Sequence, residues 1–287
     1  MRRFVLIALA CSLSSLSWAG GDDDFGMWVD LGAQKVLPRN FTVGAEAELR
    51  TRDTSKKVDR LSIGVDAGYK LNKYLKFGVA YSFIDSYKDG KRSKEEYEYG
   101  TENLISYRHT SSYWRPRHRL SIDVTQTVKV LRMLRISLRE RYQYTHQKEV
   151  SIPRADYEIN PETRDYERDD EVKLSDKVKS AKDTHLLRSR LKLELDKKAC
   201  SWSPFVSVEA MNYFRQKNTV EEEGEEGEEP CERTVTKRMP LAKVRATAGT
   251  EYEINKRNSL GLAYVFTYDK QDKERFHAIS LSYNIKF

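Results

Sequence analysis

The chain has 287 residues and a formal net charge of +7; one-third of its residues are charged, and its mean hydropathy is −0.73. The basic residues are spread along the chain rather than clustered, which argues against a nucleic-acid-binding surface. After the first 19 residues no run of about 18 apolar residues remains, so the sequence predicts no membrane-spanning helix. The length permits either one β-barrel of roughly ten to twelve strands or a β-sandwich.

The N-terminal segment has the pattern of a secretory signal peptide. Arg2 and Arg3 form a basic start, and residues 4–10 are apolar. The small-residue site Ser17-Trp18-Ala19 then precedes Gly20. We therefore predict cleavage after Ala19, with a signal peptide at residues 1–19 and a single domain at residues 20–287.

Alternating hydrophobicity recurs along the rest of the chain. In residues 61–69, for example, Leu61, Ile63 and Val65 alternate with small or polar residues. A strand sends alternate side chains to opposite faces, and many such segments of about ten residues are typical of membrane β-barrels. The candidate strands lie at residues 25–37, 41–49, 61–69, 77–83, 120–124, 134–138, 187–195, 206–210, 244–252, 260–268 and 277–287.

The number of candidate strands is odd, whereas bacterial single-chain barrels nearly always have an even number. In one interpretation, residues 25–37 lie partly inside the lumen and ten strands close the barrel. In the other, a strand has been missed, and residues 89–112 show a weak strand pattern. The sequence leaves both interpretations open.

Short and long connections alternate along the chain. Short ones fall near residues 38–40, 72–73, 130–133, 197–201 and 255–258, and the intervening ones are mostly long, up to residues 145–182. Outer-membrane barrels have short periplasmic turns and long extracellular loops, whereas a soluble sandwich has no reason to sort its loops by length. We therefore predict an all-β fold, a single antiparallel transmembrane barrel with long loops available for binding.

The last strand ends on Phe287 and resembles the terminal strand that outer-membrane barrels of Gram-negative bacteria present to their assembly machinery. Its apolar phase forms the predicted assembly signal: Ile279, Leu281, Tyr283, Ile285 and Phe287. This pattern predicts a location in the cell outer membrane. The expected partners are the barrel assembly machinery, membrane lipid and lipopolysaccharide, while the oligomeric state is not readable.

The polar phase of the strands predicts a charged lumen. Buried charges are tolerated only when they are paired or hydrated. Two interpretations stay open: a salt-bridged plug that fills the barrel, or a narrow porin-like channel that prefers anions because basic residues are in excess. The predicted lumen network contains Glu46, Glu48, Arg50, Asp66, Arg139, Arg141, Arg188, Arg190, Glu209, Arg245 and Glu251.

No catalytic set is evident in the sequence. His146 and His185 flank the longest loop, with Asp183 nearby, but no oriented nucleophile accompanies them. Metal-ligand spacing and cofactor-binding motifs are absent from the sequence. We therefore predict a non-enzymatic barrel without cofactor or metal. The alternatives are an enzyme at the barrel rim acting on lipid or peptide, and a soluble periplasmic β-sandwich that binds a ligand.

Three segments together resemble a known family. They are FGMWVDLGAQKVLPRNFTVGAEAELRTRD, LSIGVDAGYKLNKYLKFGVAYSF and SPFVSVEAMNYF, which combine a tryptophan in the first segment, a glutamate-rich strand and an aromatic hairpin turned by Asn-Lys. They are similar to family 2490 of the domains of unknown function, which consists of outer-membrane barrels. The resemblance implies the fold and the compartment, and it brings no active site.

Overall fold

The computed structural model describes residues 23–97, 104–130, 133–159, 166–167, 175–195, 201–222, 231–271 and 273–287, and within them every regular element is a β-strand. The predicted signal peptide and its cleavage site lie outside the described residues. Eleven strands form a closed barrel: β1 (Asp23–Val36), β2 (Phe41–Arg52), β3 (Lys57–Lys70), β4 (Leu75–Lys88), β7 (Tyr113–Lys129), β8 (Leu134–Gln147), β12 (Lys182–Leu195), β13 (Trp202–Tyr213), β16 (Leu241–Glu253), β17 (Asn258–Asp269) and β18 (Arg275–Lys286).

The remaining strands lie in the long connections and form two smaller sheets. One sheet contains β5 (Lys91–Tyr97), β6 (Leu104–Thr110), β9 (Val150–Ile159), β10 (Tyr166–Glu167) and β11 (Ser175–Lys179). The other is a hairpin of β14 (Arg215–Glu222) and β15 (Cys231–Arg238). All of these strands belong to one end of the barrel, here named the loop end; the opposite end, with the short connections, is the turn end.

The barrel closes where β1 meets β18, and this pair is parallel, with Asp23 opposite Arg275 and Gln34 opposite Lys286. The prediction of a uniformly antiparallel barrel is therefore wrong at this one pair. An odd number of alternating strands leaves the first and last pointing the same way, so they can close only in parallel. Both interpretations of strand parity are also wrong: β1 is part of the wall, and the strands within residues 89–112, β5 and β6, pair outside the barrel.

The two faces of the barrel sheet differ in chemistry. The outer face of the barrel is predominantly apolar: Ile63 and Ile122, for example, are 63% and 57% exposed. The inner face holds most of the buried polar side chains, including Ser121 and Glu209. A single closed sheet with this polarity differs from a β-sandwich, in which two sheets enclose an apolar core.

Asparagine side chains build two of the short connections at the turn end. The Asn72 carboxamide oxygen accepts hydrogen bonds from the backbone amides of Tyr74 and Leu75. The Asn255 oxygen does the same for Arg257 and Asn258. Asparagine favours such turns because its side chain imitates a backbone carbonyl two residues ahead. These contacts fix the hairpin registers and hence which residues face inward.

The sheet at the loop end carries a two-bond ion pair between β6 and β9. The Arg108 Nε and Nη2 atoms lie 2.5 and 2.7 Å from the two carboxylate oxygens of Asp156. Beside this pair, the rings of Tyr107 and Tyr157 stack at 5.0 Å. The hydrogen bonds from Arg108 hold the pKa of Asp156 below its usual value of 3.8.

This ion pair makes the β6–β9 contact sensitive to acid. Because folding lowers the pKa of Asp156, its contribution to stability is complete above about pH 3.8 and is lost as the pH falls through the lower folded value. We expect amide protection factors in β6 and β9, corrected for intrinsic exchange rates, to fall below pH 3.8. In Asp156→Asn the same amides should be less protected at neutral pH. If the fall in protection below pH 3.8 persisted unchanged in Asp156→Asn, a different titrating group would be responsible for it.

Candidate functional site

The lumen encloses two adjoining cavities. The larger has a volume of about 470 Å³ and the smaller about 350 Å³. Both are lined by Asp30, Glu46, Glu48 and Glu251, so they meet along one charged surface. The smaller cavity continues past Asn284 to Lys286 at the turn end. Polar space therefore extends from the middle of the barrel toward the turn end.

All eleven residues of the predicted lumen network line these cavities. Ten of them border the larger cavity, and Asp66 borders the smaller one. The strand registers explain this placement, because period two carries every second side chain of each strand inward. Whether the network has a functional role stays a prediction.

Glu209 on β13 is the centre of a deeply buried charge cluster. Its side chain is 4% exposed, and Arg188 reaches both carboxylate oxygens, with an Nη2–Oε2 distance of 2.7 Å. Nitrogen atoms of Arg139 and Arg245 each lie 3.6 Å from the same carboxylate. The two strands beside β13, which are β12 and β16, and the next strand beyond β12, which is β8, thus supply arginines to one glutamate. The cluster carries an excess of positive charge.

Other lumen charges form pairs of their own. Arg141 donates to Asp123 at 2.8 Å, and Arg50 lies 2.5 Å from Glu48 on the same strand. Nearer the turn end, the Lys192 Nζ atom lies 2.7 Å from the Glu194 Oε2 atom. These pairs occupy the barrel wall and leave the cavities between them.

β1 contributes two lining residues that the sequence analysis missed, Trp28 and Asp30. The Trp28 ring is 7% exposed and lies beneath two guanidinium groups, at 3.8 Å from Arg50 and 4.9 Å from Arg245. Such stacking of arginine on an indole face is a favourable cation–π contact. Trp28 and Asp30 lie on one face of this strand and Met27 lies on the other. The sequence therefore contained the pattern, but neither face of this strand was assigned to the lumen.

The comparison with protein families decides the classification of the chain. The model of the family described as "Protein of unknown function (DUF2490)" matches residues 25–277, nearly the whole predicted mature chain. The chain belongs to this family. The match confirms the resemblance that the sequence segments indicated. No curated protein matches the chain.

Among solved structures, this DUF2490 member is similar to the translocator domain of the autotransporter NalP from Neisseria meningitidis. The identity is 13%, the match covers 86% of this chain and 82% of that one, and the TM-score is 0.44.

A histidine cluster of the DUF2490 chain lies on the outer face near the loop end, away from the lumen. His146 Nδ1 is 2.8 Å from Asp183 Oδ1, and the Tyr144 hydroxyl donates to the same oxygen at 2.9 Å. His185 bonds the Tyr142 hydroxyl at 2.7 Å. The structure thus brings together the three residues suspected at the rim. Among the described residues, none of the side-chain hydrogen bonds of His146, Asp183 or His185 involves a serine, threonine or cysteine.

The predicted assembly strand lies at the closing seam of the DUF2490 barrel. The Phe287 amide donates to the Gln34 carbonyl at 2.9 Å, which ties the last residue to β1. Leu281 and Phe287 are 42% and 69% exposed. Recognition by an assembly machinery remains a prediction for Ile279, Leu281, Tyr283, Ile285 and Phe287.

Two kinds of feature are absent from the part of the chain that the structure describes. No group of three or more histidine, cysteine, aspartate or glutamate residues is arranged to hold a metal ion. In the same residues, no helix has the length and apolarity needed to cross a bilayer.

Proposed function

We propose that this DUF2490 member is an integral outer-membrane protein whose lumen is a narrow, anion-preferring channel. The observation that carries the proposal is the combination of a predominantly apolar outer face with a charged, cavity-containing inner face. Soluble monomers rarely expose apolar patches larger than a few hundred Å². A belt around the whole barrel fits lipid contact instead.

The orientation follows from the lengths of the connections. The turn end faces the periplasm, and the loop end, with its two extra sheets, faces the cell exterior beside lipopolysaccharide. The predicted signal peptide directs export, and the C-terminal strand engages the barrel assembly machinery. The external sheets present exposed strands, such as β5, that are available for binding.

The excess of basic side chains supports anion preference. The larger cavity is lined by eight basic residues, Arg50, Arg119, Arg139, Arg141, Arg188, Arg190, Lys192 and Arg245, and by five acidic ones, Asp30, Glu46, Glu48, Glu209 and Glu251. Like-signed charge around a confined space raises the local concentration of counter-ions. The cavities favour a channel over a completely filled plug, and the charge pairs keep that channel narrow.

Conductance across a planar bilayer tests this function. We expect the refolded mature protein to give discrete current steps, with a reversal potential in a salt gradient that indicates anion preference. The folded state is verified first by its heat-modifiable gel mobility. If a correctly folded barrel gave no current, the interpretation as a filled plug would be favoured. A preference for cations would contradict the proposal that the excess of basic residues selects anions.

The location needs a separate experiment. We expect the protein to fractionate with outer membranes and to stay in the pellet after carbonate extraction. Release into the soluble periplasmic fraction would contradict the membrane proposal and favour a soluble binding protein.

The alternative of a rim enzyme rests on the pair of His146 and Asp183. A histidine oriented by a carboxylate is one part of a general-base arrangement, but a hydrolase of the triad type also needs a nucleophile. The cluster's side-chain hydrogen bonds within the described residues provide none. We therefore keep the non-enzymatic proposal. Lipid or peptide hydrolysis that is lost in His146→Ala would overturn it.

A further inference from the structure

Charges of opposite sign line opposite walls of the lumen. Asp30 on β1, with Glu46 and Glu48 on β2, gives one wall three carboxylates beside a single arginine, Arg50, and this is here named the acidic wall. Arg139 and Arg141 on β8, with Arg188 and Arg190 on β12, form a basic wall. In the barrel order, β12 lies five strands from β1 in one direction and six in the other, so the two walls face each other across the lumen. The larger cavity touches both walls.

Over the described ranges, the ion pairs within the walls leave charges of both signs without an ion-pair contact of 4.0 Å or less. Glu209 engages Arg188 and Arg139, Asp123 engages Arg141, and Arg50 engages Glu48. Among the described residues, no oppositely charged side-chain atom lies within 4.0 Å of Asp30, Glu46 or Arg190. Within the described part of the chain, the hydrogen bond to the Asp30 side chain comes from the Ser280 hydroxyl at 3.3 Å, and the Glu46 side chain is exposed to the lumen.

These unpaired groups select a particular ligand chemistry. A simple anion bound at Arg190 leaves the carboxylates of the facing wall without a partner, and a simple cation bound at those carboxylates leaves Arg190 without one. We propose that the lumen binds small zwitterions, with an ammonium group at Asp30 and Glu46 and a carboxylate at Arg190, so that the molecule lies across the channel. This inference rests on the proposed function, because the ligand must enter a water-filled lumen.

The dimensions suit an unblocked peptide of two or three residues. Eleven strands about 4.8 Å apart and tilted by about 40° enclose a diameter of about 22 Å. Side chains from each wall occupy about 5 Å, which leaves about 12 Å between the walls. An extended dipeptide of about 7 Å, with a hydrogen bond of about 2.8 Å at each end, reaches both walls, and a tripeptide of about 10 Å fits when it lies obliquely across the lumen. The cavity volume of about 470 Å³ also falls in the range of small-molecule sites.

Binding of triglycine and its blocked forms tests the inference. The refolded barrel in detergent is titrated with triglycine, N-acetyl-triglycine and triglycinamide, and affinities are measured by saturation-transfer NMR. We expect triglycine to bind at least about tenfold more tightly than either blocked form, since each blocked form loses one charge contact at a cost of about 1.4 kcal/mol. Equal binding of triglycine and its acetylated form would reduce the site to a simple anion site and overturn the inference.

Variants assign the two ends of the ligand. The double variant Asp30→Asn with Glu46→Gln should remove the preference for triglycine over the acetylated form. Arg190→Gln should remove the preference for triglycine over the amide. Lys91→Gln, on the exposed strand β5, is the control and should change neither preference.

The outcomes separate this inference from the proposed function. If a heat-modifiable barrel conducts ions but binds none of the three probes, the zwitterion site is refuted and the channel stands. Binding that persists unchanged in all lumen variants would also refute the site. If the protein forms no membrane barrel, the proposed function itself fails.

Discussion

Replacing Ile122 by arginine should destabilise the folded barrel by about 2–4 kcal/mol, the cost of a basic side chain on the lipid face near the bilayer midplane. Ile122 lies in the middle of β7, between Val79 of β4 and Tyr142 of β8, and 57% of its surface is exposed. In water such a site would accept arginine with little change. The size of the effect therefore reports whether lipid covers this face. The measurement is reversible urea unfolding in lipid vesicles.

Val178 provides the matched control. It is also 57% exposed, but it lies in β11, in the sheet outside the barrel. We expect Val178→Arg to change the free energy of unfolding by less than about 0.5 kcal/mol. Equal, small effects at both positions would mean that the barrel exterior faces water, and the membrane proposal would then be wrong.

Replacing Glu209 by glutamine should destabilise the barrel by about 3 kcal/mol, because it leaves buried arginines without their counter-charge. Glutamine keeps the shape of the side chain but removes the charge that Arg188, Arg139 and Arg245 share. The loss should appear as a lower urea midpoint in vesicles, and as a lower temperature for the heat-modifiable gel shift.

Glu251 is the control for charge loss in the same cavity. Its side chain is 48% exposed and lies 3.5 Å from Lys192. We expect Glu251→Gln to cost less than about 1 kcal/mol, as for other solvated ion pairs. If both variants behave alike, the Glu209 cluster is hydrated, and the barrel is not held together by its central charges.

Strand positions and the orientation of their faces were readable from the sequence because both depend on local alternation. The segment at residues 61–69 lies within β3, with Ile63 outside and Gly64 inside. The short turns were readable for the same reason, since the Asn72 side chain bonds its own neighbours. Local patterns of this kind need no knowledge of the partner strand.

The pairing of β1 was not readable, because alternation assigns faces but not neighbours. Nothing local to β1 distinguishes a parallel partner from an antiparallel one. The general rule of even strand numbers therefore led to the wrong expectation of an even-numbered, antiparallel barrel. The ion-pair partners of the lumen charges could not be predicted, for the same reason. Arg188 comes from the preceding strand of the same hairpin as Glu209, but Arg139 on β8 and Arg245 on β16 belong to other hairpins, and only the strand registers bring them to the same carboxylate.

For Glu140, the strand face was readable from the sequence but the hydrogen-bond partner was not. Its place in the strand puts a carboxylate on the outer face of β8, which looks unfavourable from the sequence. The neighbouring β12 supplies the Ser189 hydroxyl, which donates to Glu140 at 2.6 Å. The compensating group is 49 residues away along the chain, so no local pattern announces it.

The parallel seam has a consequence for the order of folding. Across it, the Ser280 hydroxyl meets the Asp30 carboxylate, although the two residues are 250 positions apart. Pairing such distant segments directly in the unfolded chain would cost about 5 kcal/mol of chain entropy, so strands that are close in sequence pair first, and non-local pairing slows folding. Until that contact forms, β1 and β18 are both open edges able to pair with other chains. We therefore expect the pairing of β1 with β18, which closes the cylinder, to be the last and slowest step of folding. This step requires that both ends of the chain are present.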